Sequence, residues 1–542
     1  MKKYLLSILT LLIPYLTFAQ ESDLGERIDE IFKKYTGWFV ELVFYEIPFS
    51  ESFHIPWVLI VLIGGALFFT FYFKLINITH FGTALKVVKG RYEDIEKHGA
   101  DELYDVDDVE EQLDTLDKLL EEKDDVEGEV SHFQALTAAL SATVGLGNIA
   151  GVAVALSIGG PGATFWMIIA GFIGMASKFT ECTLGVKFRD VGPDGTVYGG
   201  PMYYLKKGLG DKGLKGLGKI FAIIFAVFAV GGSFGGGNMF QANQAAAQFV
   251  QLFSLQDTSA SIWFGIIMAI IVAIVIIGGI KRIAKVTEKI VPFMAAIYVL
   301  AAIVILVINY QHIGAAFKAI FEGAFSGYGI AGGVVGVMIQ GIRRGAFSNE
   351  AGVGSAAIAH SAVRTKYPAS EGIVALLEPF IDTVIICTMT ALVIIITNFD
   401  NNIVTYGQEI TEGVELTAIA FDSALPHFSA VLTFAVILFA FSTMISWSYY
   451  GMQGWVFLFG RSKRTEMVYK FIFCLFTFIG ASISLGAIVD FSDAMVFGMV
   501  VPNIIGLLIL LPIVRKELKR YISAIRTKED ALDEGLEDIQ KL

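Results

Sequence analysis

Eleven apolar runs, each about 20 residues or longer, alternate with short polar segments along most of the chain. A helix of that length crosses a hydrocarbon core of about 30 Å, so each run predicts one transmembrane helix. The pattern therefore indicates an all-α polytopic membrane protein. The predicted spans are 55–75, 133–158, 163–188, 218–250, 260–280, 290–310, 333–359, 372–397, 428–459, 467–488 and 494–514.

Two of these spans are interrupted at their centres, by VGLGN at 144–148 and by RRGAFSNEAGVGS at 343–355. If the span 55–75 is a preceding helix, the breaks fall in the first and sixth of ten spans. Matching breaks predict two five-helix halves, 133–310 and 333–514, and an odd number of helices per half inverts the second. Corresponding broken helices are the best pointer in a sequence to the central site of a transporter.

Basic residues lie in alternate loops, which indicates the orientation of the chain because Lys and Arg accumulate on the cytoplasmic side. The loops at 311–332 and 398–427 are almost free of them. We therefore expect 311–332 to be an external loop, the tail 515–542 to be cytoplasmic and the mature amino terminus to lie outside. The basic loops contain Lys74, Lys86, Lys89 and Arg91, then Lys206, Lys207 and Lys212, then Lys281, Arg282 and Lys285, then Arg364 and Lys366, then 461–464 and 515–520.

The first residues form a separate unit with the pattern of a secretory signal. Residues 1–19 combine a basic start, a short apolar stretch and small residues before Gln20. An uncleaved anchor helix is the alternative. With cleavage, residues 20–54 become an extracytoplasmic segment that precedes the first span.

Composition agrees with a membrane protein, since 55% of the residues are hydrophobic and 17% are charged, against about 25% charged in a soluble domain. The net charge of −12 comes from one segment, because residues 93–129 hold 18 Asp and Glu against three Lys. We interpret 76–132 as a cytoplasmic acidic insert. Apolar residues at helical spacing over 106–120 predict a short amphipathic helix there, either solvated or used for docking.

The breaks suit a particular ligand chemistry. An opened helix frees N–H groups that favour a carboxylate and C=O groups that favour an ammonium or a small hard cation. Gly145 and Gly147 permit the bend, and Asn148 adds an amide oxygen. This combination predicts a site for a zwitterionic amino acid and a coupling ion. Close helix packing through small residues is the alternative interpretation.

Six motifs in order, from GNIAGVAVALSIGGPGATFWM to FAFSTMISWSYYG, resemble the bacterial alanine/glycine:cation symporter family over about residues 133–511. The others are GGPMYYLKKGLG, GGIKRIAKVTEKIVPFMA, RRGAFSNEAGVGSAAIAHSA and FIDTVIICTMTALVI. The resemblance implies a ten-helix, 5+5 inverted-repeat core of the leucine-transporter type, within the amino acid–polyamine–organocation superfamily. It also implies sodium-coupled symport of alanine and glycine across the cell inner membrane. The signal-like start and the acidic insert depart from the family pattern.

The resemblance further implies the contacts of the substrate. The amides of Leu146 and Gly147 would bind its carboxylate, and the carbonyls of Thr143 and Phe347 its ammonium. The remaining residues implied in the pocket are Asn148, Gln241, Ser348, Asn349, Thr443 and Trp447. A tryptophan over a glycine-lined site leaves room for little more than a methyl group, but alanine, glycine, serine and D-alanine stay unseparated.

The coupling ion implied by the resemblance is Na⁺. Its oxygen ligands would come from the first core span and from the eighth, where hydroxyls are adjacent. The implied ligands are Ser141, Val144, Phe439, Ser442 and Thr443. Proton coupling is the alternative function. It is less favoured because the fifth core span, 291–310, has no interior lysine of the kind that occupies the sodium position in some proton-driven carriers.

Ionisable residues near the breaks are expected to form ion pairs that brace the helices rather than bind substrate. These residues are Lys178, Glu181, Arg343, Arg344, Glu350 and Asp382.

Two short motifs resemble a dinucleotide fingerprint and a hydrolase elbow, but the first lacks a preceding strand and the second lacks a nearby histidine base. We expect no enzymatic activity, no organic cofactor and no nucleic-acid partner. The partners expected are the amino acid and the lipid bilayer, and the oligomeric state stays open.

Overall fold

A computed structural model describes residues 34–50, 53–99, 127–255, 258–326, 333–408, 413–482 and 485–541, and most of them are helical. The signal-like residues 1–19 and the predicted amphipathic helix over 106–120 lie outside these ranges. The chain is also helical over 34–43 and forms two short antiparallel hairpins. The strands are β1 (Glu46–Ser50), β2 (Phe53–Pro56), β3 (Asp190–Val191) and β4 (Val197–Tyr198).

Helices occupy every predicted span within the described ranges. Among the described residues, seven helical stretches, some of which join consecutive helices, are long and apolar enough to cross a membrane, or eight when the bent pair around the first break is counted as one span. The sequence predicts eleven spans, so this count confirms only part of them. The helices are α1 (Trp57–Tyr72), α2 (Ile76–Thr79), α3 (Phe81–Val88), α4 (Glu93–His98), α5 (His132–Thr143), α6 (Ala150–Gly159), α7 (Gly162–Lys187), α8 (Pro201–Asp211), α9 (Lys215–Phe234), α10 (Phe240–Leu252), α11 (Thr258–Ile276), α12 (Gly279–Ile308), α13 (Tyr310–Ser326), α14 (Gly333–Asn349), α15 (Ala356–His360), α16 (Pro368–Ala375), α17 (Leu377–Pro379), α18 (Thr388–Asn401), α19 (Gly413–Ala424), α20 (Ser429–Phe459), α21 (Lys463–Ser482), α22 (Leu485–Gly498) and α23 (Val500–Lys541).

The first interruption has a defined geometry. Helix α5 starts with a capping box between Ser131 and Gln134, which fixes its first turn. It ends at Thr143, a 3₁₀ turn follows over Leu146–Asn148, and α6 leaves at 56° to α5. The predicted break at 144–148 is therefore present.

The second interruption separates α14 from α15. Glu350 has a left-handed φ of 55°, and Gly352 and Gly354 have φ of 87° and 95°. Glycine adopts these angles without a Cβ penalty, so the two glycines permit a loop where a continuous helix would clash. The observed break covers only the carboxyl-terminal half of the predicted interval 343–355, because α14 continues through Asn349.

Two spans that the sequence predicts as regular helices contain π-helical turns. They lie over Gly235–Met239, between α9 and α10, and over Phe380–Cys387, between α17 and α18. A Cβ on Gly237 would clash with the Cβ of Trp447, so the widened turn lets α20 approach closely. Turns of this kind occur often at functional sites.

The last predicted span, 494–514, does not correspond to one helix. It is divided between α22 and α23, and α23 continues to Lys541, through most of the segment interpreted as a tail. At 1.5 Å per residue its 42 residues extend about 63 Å, twice the hydrocarbon thickness. Helix α23 packs along α1, α7 and α8, and its end reaches α4.

Candidate substrate and ion site

A small cavity of about 20 Å³, enough for one water molecule, lies beside the first break. Its walls come from both interrupted helices, from the π turn after α9, and from α10, α20 and α22. The lining residues are Ala142, Thr143, Gly145, Gly147, Gly236, Gln241, Phe347, Glu350, Trp447 and Val496. Residues from distant parts of the chain, predicted as one site, thus share one cavity.

Gln241 closes the first break against α10. Its Oε1 accepts the Leu146 N–H at 3.4 Å, and its Nε2 donates to the Gly236 carbonyl at 3.0 Å. The Gly145 N–H is bound by Asn148 Oδ1 at 2.9 Å. A carboxylate that accepted the Leu146 N–H would therefore displace the Gln241 side chain. Gly147, in contrast, lines the cavity directly.

Five residues expected in the pocket do not line it. The Leu146 amide lies behind Gln241, the Thr443 hydroxyl binds the Ser141 carbonyl, and the other three lie behind the wall. Asn148 donates to Asp382 Oδ1 at 2.7 Å and Ser348 donates to Asp382 Oδ2 at 2.8 Å. Asn349 donates to Thr383 Oγ1 at 2.9 Å. These bonds tie both breaks to the π turn over Phe380–Cys387. The three side chains brace the interrupted helices in this structure and do not line the cavity.

Trp447 and Glu350 form the polar wall opposite the first break. The indole N–H donates to Glu350 Oε1 at 3.0 Å, and the Ser355 hydroxyl donates to Oε2. Glu350 is 4% exposed. The sequence placed this glutamate among the bracing ion pairs and missed it as a cavity residue. The feature of the sequence that could have indicated this role is the position of Glu350 directly after Asn349, inside the second break.

Four of the five implied sodium ligands form one buried cluster between α5 and α20. The Thr443 hydroxyl donates to the Ser141 carbonyl at 3.0 Å, and the Ser141 hydroxyl donates to the Ser442 carbonyl at 2.7 Å. The Ser442 hydroxyl donates to the Phe439 carbonyl at 3.0 Å. Val144, at the end of α5, is also buried. Hydroxyl and carbonyl oxygens are the ligands that a hard cation prefers.

The cluster adjoins the cavity. A Cβ on Gly145, which lines the cavity, would lie 2.5 Å from the Thr443 hydroxyl oxygen. An occupant of the cavity and an ion in the cluster would therefore share the same stretch of backbone.

Three of the six ionisable residues near the breaks form ion pairs, whereas Glu181, Glu350 and Asp382 accept hydrogen bonds from uncharged groups. Lys178 binds Glu378 at 2.9 Å, with both side chains fully buried. Arg343 and Arg344 both bind Asp493, at 2.8 Å and 3.4 Å. Within the described ranges, no group of three or more His, Cys, Asp and Glu side chains is arranged to hold a metal.

A family model described as the sodium:alanine symporter family matches residues 107–534. The chain is 39% identical over 475 residues to the sodium/alanine symporter AgcS of Methanococcus maripaludis, covering 88% of this chain and 96% of that protein. It is 36% identical over 418 residues to a putative sodium/proton-dependent alanine carrier protein, YrbD, of Bacillus subtilis, covering 75% and 83%.

The solved structures add a likeness of fold. The crystal structure of MhsT in complex with L-phenylalanine aligns with a TM-score of 0.51 at 15% identity, covering 73% of this chain and 99% of MhsT. MhsT has the leucine-transporter fold, so the likeness shows that this chain shares that overall fold.

Proposed function

The chain belongs to the sodium:alanine symporter family, and on that premise we propose that it carries alanine and glycine into the cell together with sodium, by alternating access. The observation that carries the proposal is that the cavity and the oxygen cluster adjoin each other. Gly145, which lines the cavity, packs directly against the Thr443 hydroxyl of the cluster. A shared wall couples the two binding events, because a ligand on one side positions the oxygens on the other.

The residues that line the cavity support a small neutral amino acid, and the cavity must widen from its present 20 Å³ to admit one. The Gly147 backbone and the Leu146 amide behind Gln241 suit a carboxylate at the start of a half-helix. The Thr143 and Phe347 carbonyls are assigned to the ammonium. Trp447 and Phe347 limit the remaining space. A side chain larger than a methyl group is excluded in this proposal.

The proposed topology is the ten-helix 5+5 core, 133–310 and 333–514, preceded by α1. The basic loops support an inside carboxyl terminus, so the face that carries the end of α23 is taken as cytoplasmic. On this orientation the protein lies in the inner membrane with its mature amino terminus outside.

The test is uptake of radiolabelled alanine into proteoliposomes under an imposed sodium gradient, and separately under an imposed proton gradient. Sodium-driven uptake that unlabelled glycine inhibits supports the proposal, and uptake driven by protons alone refutes sodium coupling. The variant Gly147→Leu should insert normally and lose uptake, because a Cβ there already lies 3.4 Å from the Ser348 Cα. Normal uptake by this variant would show that the break is only a packing feature.

A further inference from the structure

A second pocket, which we call the basic pocket, opens at the end of the helices where two of the basic loops lie. Its volume is about 270 Å³, against about 20 Å³ for the cavity beside the first break. The walls come from β3, from α8, and from the end of α20 with the loop that follows it. The proposed transport of an amino acid does not use this pocket. The side chains that decide its chemistry are Asp190, Tyr203, Lys206, Lys207, Phe457 and Arg461.

The basic pocket has a net positive charge. Three of its lining residues are basic and one is acidic, so its formal charge is +2. Both carboxylate oxygens of Asp190 are already bonded, Oδ1 to Lys207 and Oδ2 to Arg461, the latter at 2.6 Å. Lys206 forms no ion pair with any described residue, and its ammonium lies 5.6 Å from the centre of the Phe457 ring. An anion in the pocket would therefore meet a charge that the protein leaves uncompensated.

Arg461 is held in place for such a contact. Its guanidinium lies 4.1 Å from the centre of the Tyr198 ring and 5.6 Å from that of Tyr203. Its hydrogen bonds to the described residues, which go to Asp190 and to the Tyr203 hydroxyl, both come from Nη2. The Nε and Nη1 groups therefore remain available to an acceptor. A guanidinium that is already ordered loses little entropy when it binds one.

Exposed apolar surface adjoins the basic pocket. Helix α20 packs against α9 and α21, and all three have an end here, because α9 begins at Lys215, α20 ends at Phe459 and α21 begins at Lys463. Each belongs to a stretch that is long and apolar enough to cross a membrane. Exposed apolar side chains on such helices contact the acyl chains of lipid. Those near this end include Leu217, Ile220, Phe459, Met467 and Val468.

We propose that the basic pocket binds the head group of an anionic phospholipid. Lys206 and Arg461 contact the phosphate, and the acyl chains lie along the exposed faces of α9 and α21. Hydrogen bonds from a guanidinium or an ammonium to phosphate are about twice as strong as neutral ones. Basic pockets between membrane helices bind anionic head groups on the cytoplasmic side. A zwitterionic head group brings a cation that the charge of +2 repels, and a soluble phosphate ester has no chains for the apolar surface.

The inference goes beyond the proposed function and does not depend on the transported substrate, because it concerns lipid binding alone. Trp455 provides the signal, since the centre of its ring lies 4.4 Å from that of Phe459, which is 62% exposed at the edge of the basic pocket. A bromine atom on an acyl chain quenches the fluorescence of a tryptophan that it contacts. The difference in quenching between the wild type and Trp455→Phe isolates this one residue.

The full chain is reconstituted in vesicles of phosphatidylglycerol and phosphatidylcholine in varied proportion, and the bromine is carried by one lipid or by the other. The dependence of Trp455 quenching on the proportion gives the affinity for phosphatidylglycerol relative to phosphatidylcholine, called the lipid preference below. Phosphatidylglycerol should be favoured, because the basic pocket concentrates the anionic lipid beside Phe459. A lipid preference of one overturns the proposal.

Variants of exposed lysines localise the binding. Lys206→Gln should lower the lipid preference about fivefold, which corresponds to about 1 kcal/mol for one basic residue near a membrane surface. Its fold should be intact because Lys206 forms no ion pair with the described residues, and Lys206→Arg should keep the preference. Lys212→Gln, an exposed lysine just after α8 and outside the pocket, is the matched control and should behave as the wild type. An unchanged preference in Lys206→Gln, or an equal loss in Lys212→Gln, refutes the pocket as the lipid site.

A soluble head group separates a lipid from a free phosphate ester. Glycerol phosphate, added at the concentration of the phosphatidylglycerol, should leave the lipid preference unchanged, because it has no acyl chains to lie on α9 and α21. Loss of the preference in its presence would show that a soluble phosphate ester occupies the pocket equally well, and would overturn the assignment to a lipid.

Discussion

Replacing Thr443 with valine removes one hydroxyl from the oxygen cluster and keeps the shape of the side chain. The hydroxyl donates to the Ser141 carbonyl at 3.0 Å and is fully enclosed, with Thr443 1% exposed. If the cluster binds sodium, Thr443→Val should raise the half-saturating sodium concentration. The maximal alanine uptake at very high sodium should stay near that of the wild type.

The expected change in sodium affinity follows from typical energies of the hydrogen bond that the structure shows. A bond from an oxygen to a charged group is worth about 2.5 kcal/mol, but without the ion the same hydroxyl makes a neutral hydrogen bond worth about 1 kcal/mol. Valine removes both interactions, so the net loss in the free energy of sodium binding is about 1.5 kcal/mol. That is about a tenfold rise in the half-saturating sodium concentration.

The assay is a sodium titration of radiolabelled alanine uptake at several alanine concentrations. The apparent affinity for alanine should fall at limiting sodium and recover at high sodium, because the two ligands favour the same state. Thr443→Ser keeps the hydroxyl and should behave as the wild type. Thr433→Val, a buried threonine of the same helix that binds Gln248, controls for loss of a helix hydroxyl. An unchanged sodium dependence in Thr443→Val would remove this residue from the ion site.

Three further outcomes are expected. Gly145→Ala should abolish uptake, because its Cβ would lie 2.5 Å from the Thr443 hydroxyl oxygen. Gly151→Ala should have little effect on uptake, because its Cβ would meet nothing within 4 Å. Equal uptake by both variants would contradict this prediction. Trp447→Phe should raise the half-saturating alanine concentration about tenfold at saturating sodium, because the indole N–H donor is lost. An unchanged half-saturating alanine concentration would contradict this prediction. Lys178→Met should lower the free energy of unfolding by about 3–5 kcal/mol, because it removes the ammonium that pairs with the buried Glu378 carboxylate at 2.9 Å. Adding Glu378→Gln should recover part of this loss in a thermal melt in detergent. A single variant as stable as the wild type would refute the contribution of the ion pair.

The sequence predicted the helical membrane-spanning character of the chain and the first break because both are local properties. Hydropathy over 163–188 predicts α7 to within a residue at each end, and the glycines at 145 and 147 mark the end of α5. Membership of the symporter family was likewise predicted from short motifs and is confirmed by the matching family model. Each of these signals lies within a window of a few dozen residues.

The features that the sequence did not reveal depend on distant partners. The π turn over Gly235–Met239 packs against Trp447, more than two hundred residues away. Asn148 was predicted to face the substrate, but its amide binds Asp382, 234 residues along the chain. A polar residue beside a break has the same local signal whether it lines the cavity or braces the wall. Only the packing of both halves distinguishes these roles.

The end of α23 has a consequence for the synthesis of the protein. The Tyr92 hydroxyl donates to Glu529 at 2.8 Å, 437 residues later, and Asp94 pairs with Lys528. At about 5–20 residues per second, a ribosome needs roughly 20–90 s to make the chain between them. Throughout that time Tyr92 and Asp94 lack these partners. A chain that stops before α23 is complete never gains them, so these late contacts distinguish a finished fold from a truncated one.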